Sequence, residues 1–425
     1  MLQIEIDSIH EKFKVKANKD WAFSDSRSGD QYTHSYHRYP AKFIPQIVKK
    51  LIENYTTKGD KICDVFAGCG TTLVESKIHG RESEGVDINP VAQLITRAKV
   101  NSVNPKLLQK HYSSLNLKIN KFNPKKVYFG KTHDRIDYWF RIEEKNKIAF
   151  IYSCILEIRN LQVRDFYLCA LSNILKNCSR WLQSSTKPQV DPNKSISDPI
   201  ASFTFQATRM LKRNKEFYDV LLKNKIQDTK CVIKLADARK TKIRANSANA
   251  IITSPPYVTS YEYADIHQLT GYWFEYFDDL NSFRKSFIGT YYSNNKDLEC
   301  TVPLAKSIIN KLQKKSKKSA GEVANYFNDM LLVSKEMHRI LKVEGVVCLV
   351  IGNTSLKSIK IKSAEVFAQM LKINGFNIEE VIKRKIPVKL IPTIRDNKTG
   401  KFTTLDNKNK KLVYPEEFII IARKK

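Results

Sequence analysis

The feature that most constrains the fold is an alternation of short apolar strands and helical patterns near the start of the chain. Residues 61–66 are typical of a buried strand, and a second strand pattern covers residues 82–87. A helical pattern follows each strand, and the second helix begins at Asn89-Pro90, where asparagine suits the N-cap and proline suits the first turn. Strands that alternate with helices pair in parallel, so we predict an α/β fold whose parallel sheet is covered on both faces.

This alternation is interrupted by one long stretch. Residues 105–225 are first rich in lysine and then strongly helical in pattern, with helices predicted at 148–161 and 166–181. Because the stretch is too long for a simple crossover, we predict an inserted, mostly helical module. The rest of the chain then divides into an N-terminal arm with one helix at 1–56 and an α/β domain made of 57–104 together with 226–425.

The second part of the α/β domain carries the remaining strand patterns. They lie at residues 231–236, 250–253, 346–351, 376–384 and 416–423. A long amphipathic helix is predicted at 323–341. The basic segment 395–401 contains Asn-Lys-Thr-Gly, which suits a hairpin turn.

The charge balance of the chain favours a polyanionic partner. Of 425 residues, 73 are Lys or Arg and 43 are Asp or Glu, which gives a formal net charge of +30. Contacts between basic side chains and phosphates release condensed counterions, so such a chain is expected to bind nucleic acid. The alternative interpretation is a lysine-rich composition that has no bearing on binding.

The sequence does not indicate metal, disulfide or membrane chemistry. The eight cysteines form no Cys-x-x-Cys pair, and His34 and His37 have no further candidate ligands nearby, so we predict no metal site. No stretch approaches the ~20 apolar residues of a membrane span, and residues 1–15 lack the apolar core of a signal peptide. We therefore expect a cytoplasmic protein with no membrane partner.

The segment Phe66-Ala67-Gly68-Cys69-Gly70-Thr71-Thr72 has features of a ligand-binding loop. It joins the first strand to a helix that Thr71 or Thr72 can cap, and its glycines let the backbone approach a ligand closely. Open α/β sheets bind ligands at the carboxyl ends of their strands, but this loop lacks the lysine of a phosphate-binding loop. The alternative interpretation is a tight turn.

Two aspartates follow later strands and are further candidates. Asp87 ends the second strand, where a carboxylate can bind two ribose hydroxyls, or it merely helps to start the next helix. Asp237 follows the strand at 231–236 and is placed to meet an adenine amino group, or it is a plain turn aspartate.

The most informative segment is Thr253-Ser254-Pro255-Pro256-Tyr257, which ends an apolar strand. Both prolines fix φ and donate no hydrogen bond, so a rigid backbone presents the Ser254 hydroxyl and the Pro255 carbonyl beside the ring of Tyr257. The amino group of a base is a poor nucleophile because its lone pair is delocalised into the ring. Two acceptors on its N–H bonds can free that lone pair, while stacking on the tyrosine, worth about 1–3 kcal/mol, holds the base. The alternative interpretation is a structural Pro-Pro turn.

These segments together resemble a known family. The run 64–72 followed by 253–257 resembles the DNA amino-methyltransferases, the N4-cytosine and N6-adenine enzymes of restriction–modification systems, and residues 37–45 look like that family's motif ten. The resemblance covers residues 35–100 and 230–425. It implies a Rossmann-like methyltransferase that depends on S-adenosyl-L-methionine, with a seven-stranded, mostly parallel sheet and a helical insertion.

The resemblance also implies roles for individual residues. The implied cofactor-binding residues are Lys42, Phe43, Asp64, Phe66, Gly68, Gly70, Thr71, Asp87 and Asp237. Among them, Lys42 and Phe43 would lie near the methionine end, Asp87 at the ribose and Asp237 at the adenine. The implied catalytic residues, which activate and stack the target base, are Ser254, Pro255, Pro256 and Tyr257.

The expected substrate is cytosine N4 in double-stranded DNA, because members of the family with serine at the position of Ser254 mostly modify cytosine. Target recognition is assigned to 105–225, with 258–320 and 395–401 as competitors. A restriction endonuclease that acts on the same site is a further expected partner. The alternatives are methylation of adenine N6, amino-methylation of RNA, and a catalytically silent protein that binds nucleic acid.

Overall fold

The structure is a computed structural model. It describes residues 9–23, 31–258, 262–290, 298–386, 394–396, 403, 406–412 and 416–425. Within these residues, no helix combines the length and the apolar character needed to cross a bilayer.

A seven-stranded sheet forms the centre of the α/β part. Its strands are β1 (Lys61–Asp64), β2 (Glu82–Asp87), β3 (Cys231–Leu235), β4 (Ala248–Thr253), β5 (Leu341–Ile351), β8 (Phe376–Lys385) and β11 (Glu416–Lys424). Their spatial order is β3-β2-β1-β4-β5-β11-β8. Strand β11 pairs antiparallel with β5 and β8, whereas the other four pairings are parallel. The predicted seven-stranded, mostly parallel α/β sheet is therefore confirmed.

Four short strands form two small antiparallel pairs. Strand β6 (Thr354–Leu356) pairs with β7 (Ile359–Ile361), and β9 (Ile394–Asp396) pairs with β10 (Lys410–Leu412). The turn predicted at 395–401 falls on residues 397–401, which lie outside the described residues.

Helices cover the sheet and fill the stretch between β2 and β3. They are Pro45–Tyr55, Thr71–Ile78, Pro90–Val100, Pro105–Ile119, Asp134–Trp139, Ile142–Leu156, Leu161–Ile174, Pro199–Lys223, Tyr263–Ile266, Gln268–Trp273, Leu280–Ser286, Pro303–Gln313, Lys317–Ile340 and Ser363–Ile373. Residues 9–12 are also helical.

The strand side chains alternate between two cores because successive residues of a strand point to opposite faces. Ile251 of β4 packs with the helices Lys317–Ile340 and Ser363–Ile373. Its neighbour Ile252 packs with the helix Pro45–Tyr55 on the other face. The helices of 105–225 form a separate apolar cluster together with the helix Pro90–Val100.

The ends of two helices test the local sequence signals. Asn89 is the N-cap of the helix Pro90–Val100, and its side-chain oxygen accepts from the amide of Val91 at 3.0 Å, as predicted. The expected cap by Thr71 or Thr72 is wrong. Gly70 is the N-cap of that helix at φ +76°, and a Cβ there would lie 2.7 Å from Thr96, so glycine meets both demands.

The two helices predicted at 148–161 and 166–181 are present, but each begins and ends five to seven residues earlier than predicted. The structure has two helices, Ile142–Leu156 and Leu161–Ile174, separated by a turn. The side chain of Asn160 accepts from the amide of Val163 at 3.1 Å, and this N-cap starts the second helix at Leu161, five residues before the predicted start.

Candidate functional site

The sheet changes direction between β1 and β4, and a cavity opens at that point. Strands β2 and β3 continue on one side of β1, whereas β4 and β5 lie on the other side. Open α/β sheets bind ligands at such a switch point, outside the carboxyl ends of the strands. The cavity there has a volume of about 270 Å³ and is lined by residues that follow β1, β2, β3 and β4.

Most of the residues singled out in the sequence line this one cavity. The lining ones are Lys42, Phe43, Asp64, Phe66, Gly68, Thr71, Asp87, Asp237, Ser254, Pro256 and Tyr257. Gly70 and Pro255 are not in the lining, although their chain neighbours are. The fold thus brings the segment at 64–72 and the segment at 253–257 together, whereas their individual roles stay predictions.

Asp87 fastens the glycine loop to the end of β2. Its Oδ2 accepts from the amide of Gly68 at 2.8 Å, and its Oδ1 accepts from the amide of Asn89 at 2.8 Å. Burial raises the pKa of Asp87 to about 6, with the two amide hydrogen bonds opposing the shift. The group is therefore ionised at neutral pH, and each oxygen keeps a lone pair for a ligand hydroxyl.

Asp64 links the two segments that line the cavity. Its Oδ1 accepts from the amide of Phe66 at 3.0 Å and from the hydroxyl of Thr253 at 2.7 Å. The residue is only 3% exposed, and burial raises its pKa above the ordinary value. This carboxylate ties the end of β1 to the end of β4, so it fixes the distance between the loop and the proline segment.

The proline segment contains two hydrogen-bond acceptors whose partners are known, the Ser254 hydroxyl and the Pro256 carbonyl. The hydroxyl of Ser254 donates to the carbonyl of Val350 at 3.1 Å, which leaves the lone pairs of the serine oxygen available. The carbonyl of Pro256 accepts from the hydroxyl of Tyr326 at 2.7 Å. Ser254 can therefore act towards the cavity as an acceptor, and the Pro256 carbonyl already has a partner.

The ring of Tyr257 is fixed from two directions. Its hydroxyl donates to Oε1 of Glu417 at 3.0 Å, and its ring packs so closely on Gly352 that a Cβ there would lie 2.8 Å from the ring. Burial, followed by the neighbouring Glu417 carboxylate, raises the pKa of Tyr257 far above its usual range. The hydroxyl thus stays protonated and stays a donor.

Asp237 shares its carboxylate with Arg239. The guanidinium donates from Nε to Oδ1 at 3.0 Å and from Nη2 to Oδ2 at 2.6 Å, and a third donor, Nη1, reaches Asp329 at 2.8 Å. Arg239 also donates to the carbonyl of Ser286, which lines the cavity. An adenine amino group at Asp237 would have to use the lone pairs that Arg239 leaves.

Besides a pair of stacked tyrosines, the cavity lining contains two glutamates that sequence reasoning missed. Tyr39 and Tyr263 stack at 5.8 Å between ring centroids, and Glu262 and Glu322 add two carboxyl groups whose pKa is raised by burial. Tyr39 lies inside the segment 37–45 and was within reach of the motif, whereas nothing local marks Glu322 at the start of a long helix.

The lining is strongly acidic. Among the lining residues that the structure describes, there are five carboxylates and one lysine; the carboxylates are Asp64, Asp87, Asp237, Glu262 and Glu322. Such a set favours a cationic ligand with hydroxyl and amino groups. No group of three or more His, Cys, Asp or Glu residues within the described chain is placed to hold a metal ion.

Comparison with known proteins gives the family. The chain matches the family model for N6/N4 enzymes described as DNA methylase over residues 4–97 and 248–425. The segments 37–45, 64–72 and 253–257 all fall inside the matched ranges. The resemblance to the DNA amino-methyltransferases of restriction–modification systems is therefore confirmed.

Two curated relatives and one solved structure illustrate the range of similarity. The type II methyltransferase M.MvaI of Kocuria varians is 27% identical over 409 residues, which cover 89% of this chain and 90% of the relative. The type II methyltransferase M.MjaII of Methanocaldococcus jannaschii is 32% identical over 148 residues, covering 33% and 28% of the two chains. A TehB-like SAM-dependent methyltransferase from Corynebacterium glutamicum aligns over 89% of this chain and 87% of its own at 7% identity, and its TM-score of 0.30 adds nothing to the assignment.

The cofactor is S-adenosylmethionine, and the described residues fit it. The molecule is cationic at its sulfonium and its amine, and it carries ribose hydroxyls and an adenine amino group. The acidic lining, the ionised Asp87 and the carboxylate of Asp237 supply groups of matching chemistry in one cavity. The chain belongs to the DNA methylase family and is an S-adenosylmethionine-dependent DNA methyltransferase.

Proposed function

We propose that this protein methylates the N4 amino group of a cytosine that has been flipped out of double-stranded DNA. The observation that carries the proposal is the hydrogen bond from Ser254 to the carbonyl of Val350 at 3.1 Å. This bond uses the serine proton, so the serine oxygen meets the cavity as an acceptor. An amino group that must be drawn towards tetrahedral geometry needs an acceptor of this kind.

The chain's own residues divide the work on the base. Ser254 accepts one N–H of the amino group, and the carbonyl of Pro255 accepts the other. Tyr257 stacks on the base, a contact worth about 1–3 kcal/mol, which offsets part of the few kcal/mol that unstacking costs. When bound, S-adenosylmethionine supplies an electrophilic methyl group on a sulfonium. Proximity and orientation supply much of the acceleration.

The cofactor end of the cavity uses backbone and carboxylates. Asp87 binds the ribose hydroxyls, and Asp237 meets the adenine amino group beside Arg239. Lys42 and Phe43 border the methionine part. The backbone of the loop, set by Asp64, lies along the cofactor; its contributing residues are Phe66, Gly68, Gly70 and Thr71.

We assign DNA recognition to the helices of 105–225, which lie outside the matched family ranges. We divide the chain into an arm and helix at 1–56, a catalytic domain at 57–104 plus 226–425, and a helical target-recognition region at 105–225. The formal charge of +30 supports attachment to phosphates. A restriction endonuclease of the same specificity, in the same cytoplasm, is the partner that completes such a system.

Mass analysis of modified nucleosides tests the proposal. Double-stranded DNA is incubated with the protein and S-adenosylmethionine and then digested to nucleosides, with the Ser254→Ala variant as a matched control. N4-methylcytosine that is absent from the control is the expected product. N6-methyladenine would move the substrate to adenine, methylated RNA in a parallel reaction would replace DNA, and no methylated nucleoside in any sample would overturn the proposed activity.

A further inference from the structure

We propose that Glu417 and Arg384, two residues outside the cavity lining, are positioning residues that set the ring of Tyr257 for stacking. The inference rests on the proposed function, in which Tyr257 stacks on the target base. It adds a partly buried ion pair on the antiparallel side of the sheet to the machinery of base binding.

A hydrogen bond joins Tyr257 to the carboxylate of Glu417. The hydroxyl of Tyr257 donates to Oε1 of Glu417 at 3.0 Å, and the two residues are 160 positions apart in sequence. The other carboxylate oxygen, Oε2, accepts from Nη1 of Arg384. One carboxylate therefore holds the tyrosine and is itself held by a guanidinium.

Strand pairing places the two charges of the ion pair opposite each other. Glu417 of β11 and Arg384 of β8 are direct cross-strand partners in the antiparallel register. Directly opposed charges of opposite sign on neighbouring strands attract each other, so the sheet itself fixes where the carboxylate lies. The tyrosine, at the end of a parallel strand, is thereby oriented by the antiparallel edge.

Backbone carbonyls of the N-terminal arm anchor Arg384. Its side chain is 0% exposed, and its remaining donors reach the carbonyl of Trp21 at 2.8 Å and the carbonyl of Ala22 at 3.2 Å. A backbone hydrogen bond from the amide of Asn18 to the carbonyl of Lys383 holds the same segment at 2.7 Å. The segment 18–22 thus closes over the guanidinium and keeps it from turning away.

A charged pair, and not apolar packing, lies behind the ring of Tyr257. Burying an ion pair removes two charges from water, so it is weak evidence for a purely stabilising role. A hydrogen bond to a fixed carboxylate is directional, and together with the close packing on Gly352 it fixes the angle of the Tyr257 ring. A stacking surface benefits from this because misplacement of a bound group lowers the rate steeply.

The experiment compares Tyr257→Phe, Glu417→Ala, the double variant and Tyr257→Ala in the full chain. The readouts are kcat and KM for DNA, cofactor affinity, and the fluorescence of 2-aminopurine at the target position. Tyr257→Phe keeps the ring and leaves the Glu417–Arg384 pair intact, so it remains informative even if Glu417→Ala fails to fold. We expect Tyr257→Phe and Glu417→Ala each to lower kcat/KM about 10- to 100-fold. The double variant should have a kcat/KM no lower than that of either single variant. In all three variants, 2-aminopurine fluorescence should be less quenched than with the wild type, and cofactor affinity should stay unchanged.

The matched control is Glu416→Ala. Glu416 precedes Glu417 on β11 and pairs with Lys383 at 2.9 Å, so its removal also breaks a cross-strand ion pair but leaves the Tyr257 hydroxyl bonded. It should leave kcat/KM within twofold of the wild type. If Tyr257→Ala is inactive while Tyr257→Phe and Glu417→Ala match the wild type, positioning is overturned and the proposed function stands. If Tyr257→Ala is itself fully active, the stacking role in the proposed function fails.

Discussion

Around the cavity, some polar groups are bonded across long distances in sequence in addition to local bonds, whereas ion pairs on the helices of 105–225 include several between near neighbours. The bond between Thr253 and Asp64 spans 189 positions. On the helix Pro199–Lys223, Lys215 pairs with Asp219 four residues on, and Arg213 pairs with Glu216 three residues on. A bond that spans the sheet holds its partners in one geometry, but an exposed pair within one helix turn is worth little and leaves the surface adaptable.

The interiors of the two regions also differ. Buried aromatic rings fill the helical region, and Trp139 and Trp181 stack there at 5.1 Å. The family match covers six of the seven strands of the large sheet and omits 98–247, which contains β3 and most of these helices. We propose that the chemistry depends on the sheet edge and that DNA recognition depends on the helical region. Variants of the cavity residues test the chemistry, and lysine variants on the helical region test whether the two functions separate.

The largest effect is expected for Ser254→Ala. Removal of a single stabilising partner of a reacting group can lower kcat by about 10²-fold or more, and alanine keeps the backbone and the prolines in place. Cofactor affinity should stay within twofold of the wild type, as measured by equilibrium binding. Ser247→Ala is the control, since Ser247 lies at the opposite end of β4 and donates to the carbonyl of Arg244. Unchanged turnover in Ser254→Ala would remove the serine from the chemistry.

A smaller effect, on a different quantity, is expected for Asp87→Ala. Hydrogen bonds to a charged group contribute about 1.5–3 kcal/mol, which corresponds to roughly 10- to 100-fold in cofactor affinity. The amide of Gly68 also loses its acceptor, so the glycine loop becomes less well fixed. Isothermal titration with S-adenosylmethionine measures the loss, and Asp228→Ala, an exposed aspartate, serves as the control. An affinity equal to the wild type would show that this carboxylate does not bind the ribose.

The pH dependence of cofactor binding should reveal the same carboxylate. Burial raises the pKa of Asp87 to about 6, so the group gains its proton as the pH falls through 6. The ionised form binds the hydroxyls, so affinity should rise with pH up to about 7 and then level off. One pH unit below the pKa, about a tenth of the protein is ionised, which limits the loss to roughly 10-fold.

Titrations between pH 5 and pH 8 measure this profile. The Asp87→Asn variant should bind weakly at every pH and show a flatter curve, because the titrating group is gone. A wild-type curve that stays level across pH 6 would contradict the role of Asp87. An Asp87→Asn variant whose affinity kept the full pH dependence would contradict the same role.

The sequence predicted the sheet because its signals are local. Strand periodicity, the Asn89-Pro90 helix start and the glycine loop depend on a few adjacent residues, and they located the ends of β2 and β4 and placed the end of β1 two residues too late. The cap at Thr71 failed for a reason that is also local but geometric. The left-handed backbone of Gly70 replaces a side-chain cap, and the clash with Thr96 that requires glycine comes from a later helix.

The candidate site divides in the same way. The motif residues were found because their chemistry is written in short runs, and the fold then assembled most of them around one cavity. Glu417, Arg384 and Tyr326 could not be found from the sequence, because strand register and helix packing bring them to the proline segment. Nothing in the residues next to Glu417 distinguishes it from Glu416, which pairs with a different partner.

The smallest effect is expected for lysines of the helical region, and it tests the comparison most directly. Lys106 and Lys110 lie on the first helix of 105–225 and line a shallow surface pocket together with Lys215. If they contact phosphates, Lys106→Ala and Lys110→Ala should each weaken DNA binding a few-fold and lower the salt dependence by about one unit of slope. The control is Lys58→Ala, because Lys58 is exposed just before β1, at the amino edge of the sheet.

Binding of labelled duplex at several salt concentrations measures this effect, alongside kcat at saturating DNA. An intact kcat with weaker binding supports separate functions for the two regions, since the phosphate contacts then add affinity without touching the chemistry. A fall in kcat at saturating DNA would contradict the division. It would mean that the helical region takes part in bringing the base to Ser254, so that the fixed sheet edge depends on the surface beside it.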